Sequence, residues 1–231
     1  MLLSAKEIAK MIDLSCVRTI SSQMDIEEMV RIARKYGFGQ VSVLQCFIPY
    51  TRQLLEGNKD IRIIGNVSFP SGSDSTSIKV SQAKEMVAAG CDEIDMVMNI
   101  GKLRSGLLSE VETDVQAVVE TVRPIPIKVI IEIMCLTKEE THQACDICLR
   151  TGATFVKTGT GWAERGTTLE EVRLVKSFVG EHIKIKASGG IRNLDTLLEM
   201  YKAGARRFGI NLKSSITIVE ECLELGSGIE I

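Results

Sequence analysis

Four prolines and two histidines are all that 231 residues contain of either, and there is a single tryptophan. Without a Pro- or Ser-rich stretch, no linker divides the chain, and one domain spanning 1–231 is expected. With only His142 and His182, no histidine-based zinc site can be completed. Lys and Arg are scattered and the net charge is −2, so no basic field invites nucleic acid or an anionic membrane surface. The longest apolar runs, such as Val129-Ile130-Ile131, are far too short to cross a bilayer. The opening MLLSAKEIAKMI is amphipathic and carries no signal-peptide cleavage pattern. The seven cysteines, an odd number, are spread through apolar segments. That distribution predicts reduced thiols and a cytoplasmic location.

Hydrophobic residues make up 45% and charged residues 25%, a mix that supports a sizeable core. One local pattern recurs in KYGFGQVSVL (35–44), AAGCDEIDMV (88–97), RTGATFVKTG (150–159) and KAGARRFGIN (202–211). An amphipathic helix ends at a glycine, and an apolar strand begins two or three residues later. Eight strands are expected, at 11–15, 40–46, 61–69, 93–99, 127–134, 154–158, 183–187 and 206–211. Helices are expected at 25–36, 49–57, 76–89, 108–122, 138–151, 168–179, 193–203 and 214–225, with Asp25, Thr137 and Thr168 as N-caps. Glu140 stands at capping-box spacing from Thr137. Eight alternations in this length predict an α/β fold of the (β/α)8 TIM-barrel type, with a doubly wound sheet as the alternative.

In such a barrel, chemistry sits at the C-terminal ends of the strands. Lys157 ends the sixth expected strand and Lys186 nearly ends the seventh, so the two amines should be neighbours. Alternation in 183–186 puts Ile183 and Ile185 toward the helices and Lys184 and Lys186 toward the axis, with Lys184 at the lower end. A second cation lowers a lysine pKa and keeps the amine nucleophilic, which suits imine formation with a carbonyl. Imine chemistry also needs a carboxylate to move protons. Asp95 in the fourth strand is the candidate; Asp13 in the first, expected at the substrate, and Glu132 in the fifth are about as compatible with structural ion pairs. Gly189-Gly190 and Gly209, with Arg192 and Asn211, lie where barrels hold phosphate after the seventh and eighth strands, and Gly161, after the sixth, is expected at the substrate. Cys145 and Cys148 fall mid-helix and are expected to be packed core thiols. Trp162 fits either a pocket wall or a covering role in a loop.

Taken together, EIDMVMNIG (93–101), IKVIIE (127–132), FVKTGTG (155–161) and KIKASGGIR (184–192) resemble the deoxyribose-phosphate aldolases, over about residues 8–215. The resemblance implies Lys157 as the imine-forming residue, Lys186 as the neighbouring amine and Asp95 as the proton-transfer carboxylate. It also implies cleavage of 2-deoxyribose 5-phosphate to glyceraldehyde 3-phosphate and acetaldehyde without metal or organic cofactor, and a homodimer. The chain departs from the family pattern at Ser15, Arg18, Ser42, the KTGTGW stretch, Asn211-Leu212-Lys213 and the GSGIEI end. These departures leave two alternatives beside the aldolase. One is a lysine aldolase for a different or unphosphorylated aldehyde; the other is a non-catalytic sugar-phosphate-binding barrel.

Overall fold

Two of the three expected N-caps stand where the sequence puts them. Thr137 and Thr168 cap their helices, each accepting from the backbone N–H three residues on, and Glu140 and Glu171 return the bond to the cap N–H. The third expected cap is displaced. Ser22, not Asp25, is the N-cap, and Asp25 is its capping-box partner. A serine hydroxyl reaches the same N–H, and the carboxylate gains more at the N3 position, against the exposed amides of the first turn.

A computed structural model describes residues 2–226 and 229–230. A short strand β1 (Leu2–Leu3) and helix α1 (Ala5–Met11) precede a closed barrel of eight parallel strands: β2 (Ile12–Cys16), β3 (Gln40–Val43), β4 (Arg62–Val67), β5 (Glu93–Val97), β6 (Ile127–Ile130), β7 (Phe155–Lys157), β8 (Lys184–Ser188) and β9 (Ala205–Asn211). Helices α2 (Gln23–Tyr36), α3 (Ile48–Leu54), α4 (Thr76–Ala88), α5 (Ile100–Arg104), α6 (Leu108–Val122), α7 (Lys138–Thr151), α8 (Leu169–Val179), α9 (Leu194–Lys202) and α10 (Leu212–Glu224) follow the strands in turn, α5 and α6 both after β5. β1 pairs antiparallel with β10 (Ile229–Glu230) outside the barrel. Residues 227, 228 and 231 of the GSGIEI end lie outside the described residues. Among those described, no helix is long and apolar enough to cross a membrane.

The four glycines of the repeated pattern, Gly37, Gly90, Gly152 and Gly204, all have positive φ. The main core lies between strands and helices, and includes Ile12, Leu14, Val41, Ile63, Ile94, Met96, Val129, Val156, Ile185 and Phe208. Cys145 and Cys148 belong to it, fully buried on α7, and burial pushes the Cys145 thiol up to about 12. The residues between these on each strand face the axis. Much of that inner face is polar: Asp13, Ser15, Gln40, Ser42, Asn66, Asp95, Lys128, Lys157 and Lys186. A buried Lys79 on α4 anchors the end of β5. It donates to Asp114 Oδ2 at 2.6 Å and to the Val97 carbonyl at 3.1 Å.

Candidate active site

Parallel register decides which charges meet. Asp95 is level with Lys128 on β6, and Lys157 is level with Lys186 on β8. Asp95 Oδ2 accepts from Lys157 Nζ and from Lys186 Nζ, both at 2.8 Å. Asp95 Oδ1 lies 3.2 Å from Lys128 Nζ. Below, Lys186 Nζ is 2.6 Å from Asp13 Oδ2, Arg207 donates to Asp13 Oδ1 at 3.2 Å, and Lys128 donates to Glu93 Oε2 at 2.5 Å. Arg62 reaches Glu93 from the lower rim at 3.1 Å.

Three carboxylates and three lysines thus share one closed interior. Burial by itself would raise the Asp95 carboxyl, but the ammonium groups of Lys128, Lys157 and Lys186 outweigh it and hold that carboxyl well below its ordinary value. Lys157 goes the other way. Burial is the largest influence on its amine and lowers its pKa; Asp95 pulls it back up, and repulsion from Lys186 and Lys128 works against that pull. Its pKa is pushed down to about 8. Lys128, held by three carboxylates, is raised instead. The network, with Arg207 and Arg62 at its base, carries more positive than negative groups, five against three.

Lys157 also opens onto a cavity of about 240 Å³ at the C-terminal ends of the strands. Gly161, Gly189, Gly190, Arg192, Gly209 and Asn211 are all on its wall, as expected from sequence. Asp13, expected at the substrate, is not; it is fully buried beneath the cavity, ion-paired to Lys186. The inward residue of β2 that does reach the wall is Ser15, two positions further along the strand. Glu132 is also away from the lysines. It adopts φ 45° and accepts from Thr160 N–H at 3.1 Å, propping the loop that follows Lys157. Lys184 stays exposed at the lower end of β8, 5.7 Å from the Phe155 ring. Leu212 and Lys213 are not on the cavity wall, whereas Asn211 caps α10 by accepting from Ser214 N–H at 3.0 Å.

Two glycines are required by close approach. A Cβ on Gly209 would lie 2.5 Å from Ser188 Oγ and 3.3 Å from Lys186 Cε, so any side chain there would displace the second amine. A Cβ on Gly166 would lie 2.7 Å from Gly190 Cα, because the loop after β7 packs directly on the turn after β8. At the mouth, Arg18 stacks 5.4 Å from the Trp162 ring and donates to the Gly161 carbonyl at 3.1 Å, and Phe69 meets Trp162 edge-on. Arg165 joins Arg18 and Arg192 on the wall.

The buried lysine triad on one carboxylate, in a (β/α)8 barrel, coincides with a family match. The sequence model of the DeoC/LacD family aldolases matches residues 8–211. The chain belongs to the DeoC/LacD family of aldolases. This aldolase is 40% identical over 230 residues to the deoxyribose-phosphate aldolase of Sinorhizobium medicae, covering 99% of this chain and 93% of that one. It is 39% identical over 219 residues to that of Carboxydothermus hydrogenoformans, covering 93% and 96%. Among solved structures it is similar to QR15, an aldolase, with TM-score 0.88 and 38% identity over 94% and 96% of the two chains. It is also similar to the tetrameric deoxyribose phosphate aldolase from Aeropyrum pernix, with TM-score 0.87 and 25% identity over 96% and 93%.

In this aldolase the coupling between the amines predicts a shift of known sign. Lys186→Leu removes a like charge from Lys157 and leaves Asp95 Oδ2 to it alone. Both changes favour the protonated amine. The acid limb of the kcat/KM–pH profile is expected to move upward, by about one unit if the coupling is of ordinary strength for a buried pair. An unmoved limb at near-normal rate would mean that the two amines do not communicate.

Proposed function

We propose that this aldolase works through a Schiff base on Lys157 and reversibly cleaves 2-deoxy-D-ribose 5-phosphate to glyceraldehyde 3-phosphate and acetaldehyde. The observation that carries the reading is the Lys157 amine itself, at the cavity, with its pKa pushed down to about 8 while it rests on an ionised Asp95 beside Lys186. A neutral fraction is therefore present near physiological pH, and only the neutral amine attacks a carbonyl.

The amine nitrogen adds to C1 of the sugar, and the carbinolamine loses water to give a protonated imine. Removal of the C3 hydroxyl proton lets the C2–C3 bond break. Its electron pair moves into the enamine, and C3 leaves as the aldehyde of glyceraldehyde 3-phosphate. Protonation at C2 and attack of water then release acetaldehyde and restore Lys157. Asp95 Oδ2 bridges the two amines, so a proton leaving one nitrogen has a route to the other. Lys186 is the donor and Asp95 the acceptor of that relay.

We assign the phosphate to the wall formed by Gly189-Gly190, Gly209 and Asn211, the N-cap of α10, with Arg192 nearby. Arg18 and Arg165 extend that positive rim. With Leu212 and Lys213 off the wall, the side-chain donors beside this turn are Arg192 and Nδ2 of Asn211, whose Oδ1 is committed to the helix cap. Phosphorylated substrate is expected to be preferred over 2-deoxyribose by about 10–100-fold in kcat/KM, a smaller margin than a fully polar site would give. Equal kcat/KM for the two sugars, together with no inhibition by inorganic phosphate, would favour an aldolase for unphosphorylated aldehydes. On this reading the enzyme serves carbohydrate catabolism in the cytoplasm and acts as a homodimer.

A further inference from the structure

Asn66 stands on β4 level with Asp95 on β5, and together with Ser42 it forms part of the cavity wall. Its side chain is buried, 6% exposed for the residue as a whole. The orientation of its amide is fixed by chemistry. The Val43 carbonyl can only accept, and the amide atom 2.9 Å from it is therefore Nδ2. Nδ2 also donates to Ser42 Oγ at 3.0 Å, so both of its protons are used. Asn66 Oδ1 is left buried with no partner among the described residues. Ser42 Oγ accepts from Asn66, and its own proton meets no acceptor among the described residues.

The wall of a polar cavity thus holds, just beneath its surface, an unpaired acceptor next to an unpaired donor. A hydroxyl satisfies both at once, since it donates to Oδ1 and accepts from Oγ. A carbonyl cannot donate to Oδ1, a phosphate oxygen is repelled by it, and a methyl group leaves both unmet. The place is also specific. β4 lies across the barrel from the Gly189-Gly190 turn and next to β5, whose Asp95 holds Lys157. The hydroxyl therefore belongs to the carbons near the bond being made or broken, not to the phosphate end.

We infer that Asn66 and Ser42 form a hydroxyl-recognising subsite that makes this enzyme selective for hydroxylated aldehydes. The inference rests on the Schiff-base reading above. The hydroxyl can come from the acceptor, as the one next to the aldehyde carbon of glyceraldehyde 3-phosphate. It can also come from the donor, as in glycolaldehyde in place of acetaldehyde.

The test runs in the synthetic direction. Each donor, acetaldehyde or glycolaldehyde, is combined with each acceptor, glyceraldehyde 3-phosphate or the analogue lacking its 2-hydroxyl, and kcat/KM is measured for the wild type, Asn66→Val and Ser42→Ala. Asn66→Val is expected to lower the ratio of hydroxylated to hydroxyl-free substrate by about 10–100-fold in one of the two comparisons. Ser42→Ala lowers the same ratio by less, about 3–10-fold, because Val43 still holds the amide. Collapse of the acceptor ratio assigns the hydroxyl to the acceptor, and collapse of the donor ratio assigns it to the donor. If neither ratio moves more than about threefold in either variant, no substrate hydroxyl meets Asn66 and the inference is overturned. If Asn66→Val does not fold, Ser42→Ala decides alone. Borohydride trapping of acetaldehyde in the wild type keeps the two levels apart, since its failure would remove the Schiff-base reading rather than the subsite.

Discussion

Lys157→Met is expected to abolish turnover, a loss on the order of 10⁴-fold or more, and to stabilise the protein at the same time. No other lysine lines the cavity among the described residues, and the neighbouring Lys186 is buried and engaged by two carboxylates. Borohydride reduction in the presence of acetaldehyde should give a mass adduct that maps to Lys157 in the wild type and disappears in the variant. An adduct that persists on Lys186 would move the imine to that residue. The stability gain follows from the displaced pKa. Between the ordinary value of 10.5 and the folded value of about 8, folding opposes protonation of this amine. Below pH 8 the folded chain bears the full cost, and removing the amine should gain about 1–3 kcal/mol, since Asp95 keeps Lys128 and Lys186. As pH rises from 8 to 10.5 the wild-type amine loses its proton and the cost fades. The melting-temperature difference between variant and wild type should therefore shrink across that window. A gap that widens with pH would contradict the assignment.

Asp95→Asn should also lower the rate by about 10²-fold or more, because a positioned proton acceptor is lost. Unlike Lys157→Met, it should destabilise. Three lysines lose their shared counter-charge, and breaking a buried pair on one side costs about 3–5 kcal/mol. Its effect on the pH profile has a definite sign. Asp95 raises the Lys157 pKa, so its removal should move the acid limb downward, opposite to the shift expected for Lys186→Leu. Limbs that move in the same direction in the two variants would break the proposed circuit of two amines on one carboxylate. A folded Asp95→Asn protein with undiminished specific activity would leave Asp95 as an ion-pair anchor only.

The barrel was legible because each of its strands alternates or runs apolar between clear helix signals, and the four helix-ending glycines repeat at the spacing of a βα unit. Strand ends were overextended where the chain turns while still apolar. Leu44, Met98 and Ile131 continue the hydrophobic run, but the ladder has already stopped, and 3₁₀ turns at Gln45–Phe47 and Ile133–Cys135 follow two of those strands. Helices α1 and α5, seven and five residues long, carry too few periods to stand out from amphipathic noise.

Lys157, Lys186 and Asp95 could be picked out because a charge inside an apolar strand has few bland explanations. The same logic applied to IPIKVII would have found Lys128, which alternates with Ile127 and Val129 and completes the charge cluster. Asp13 was assigned to substrate because strand alternation gives the direction of a side chain and not its height along the axis. The open valences of Asn66 and Ser42 depend on a hydrogen bond to a backbone carbonyl on a neighbouring strand, and no spacing in the sequence encodes that.

The contact between Gly166 and Gly190 limits how this enzyme can be reshaped. Thr167 N–H donates to the Gly189 carbonyl at 3.1 Å, and Thr158 and Thr167 both turn their hydroxyls toward the Ser188 carbonyl. The segment leaving Lys157 and the turn after β8 are thereby fastened by direct backbone contact, a backbone hydrogen bond and two threonine hydroxyls, with little room to absorb a change. Loops of a (β/α)8 barrel are often treated as exchangeable parts, each grafted without regard to the next. Here two of the eight form one inheritable unit. A new loop after β7 must bring its own fit to the turn after β8, and altered substrate range is more accessible from the β2–β4 side of the cavity, which Ser15, Ser42 and Asn66 line.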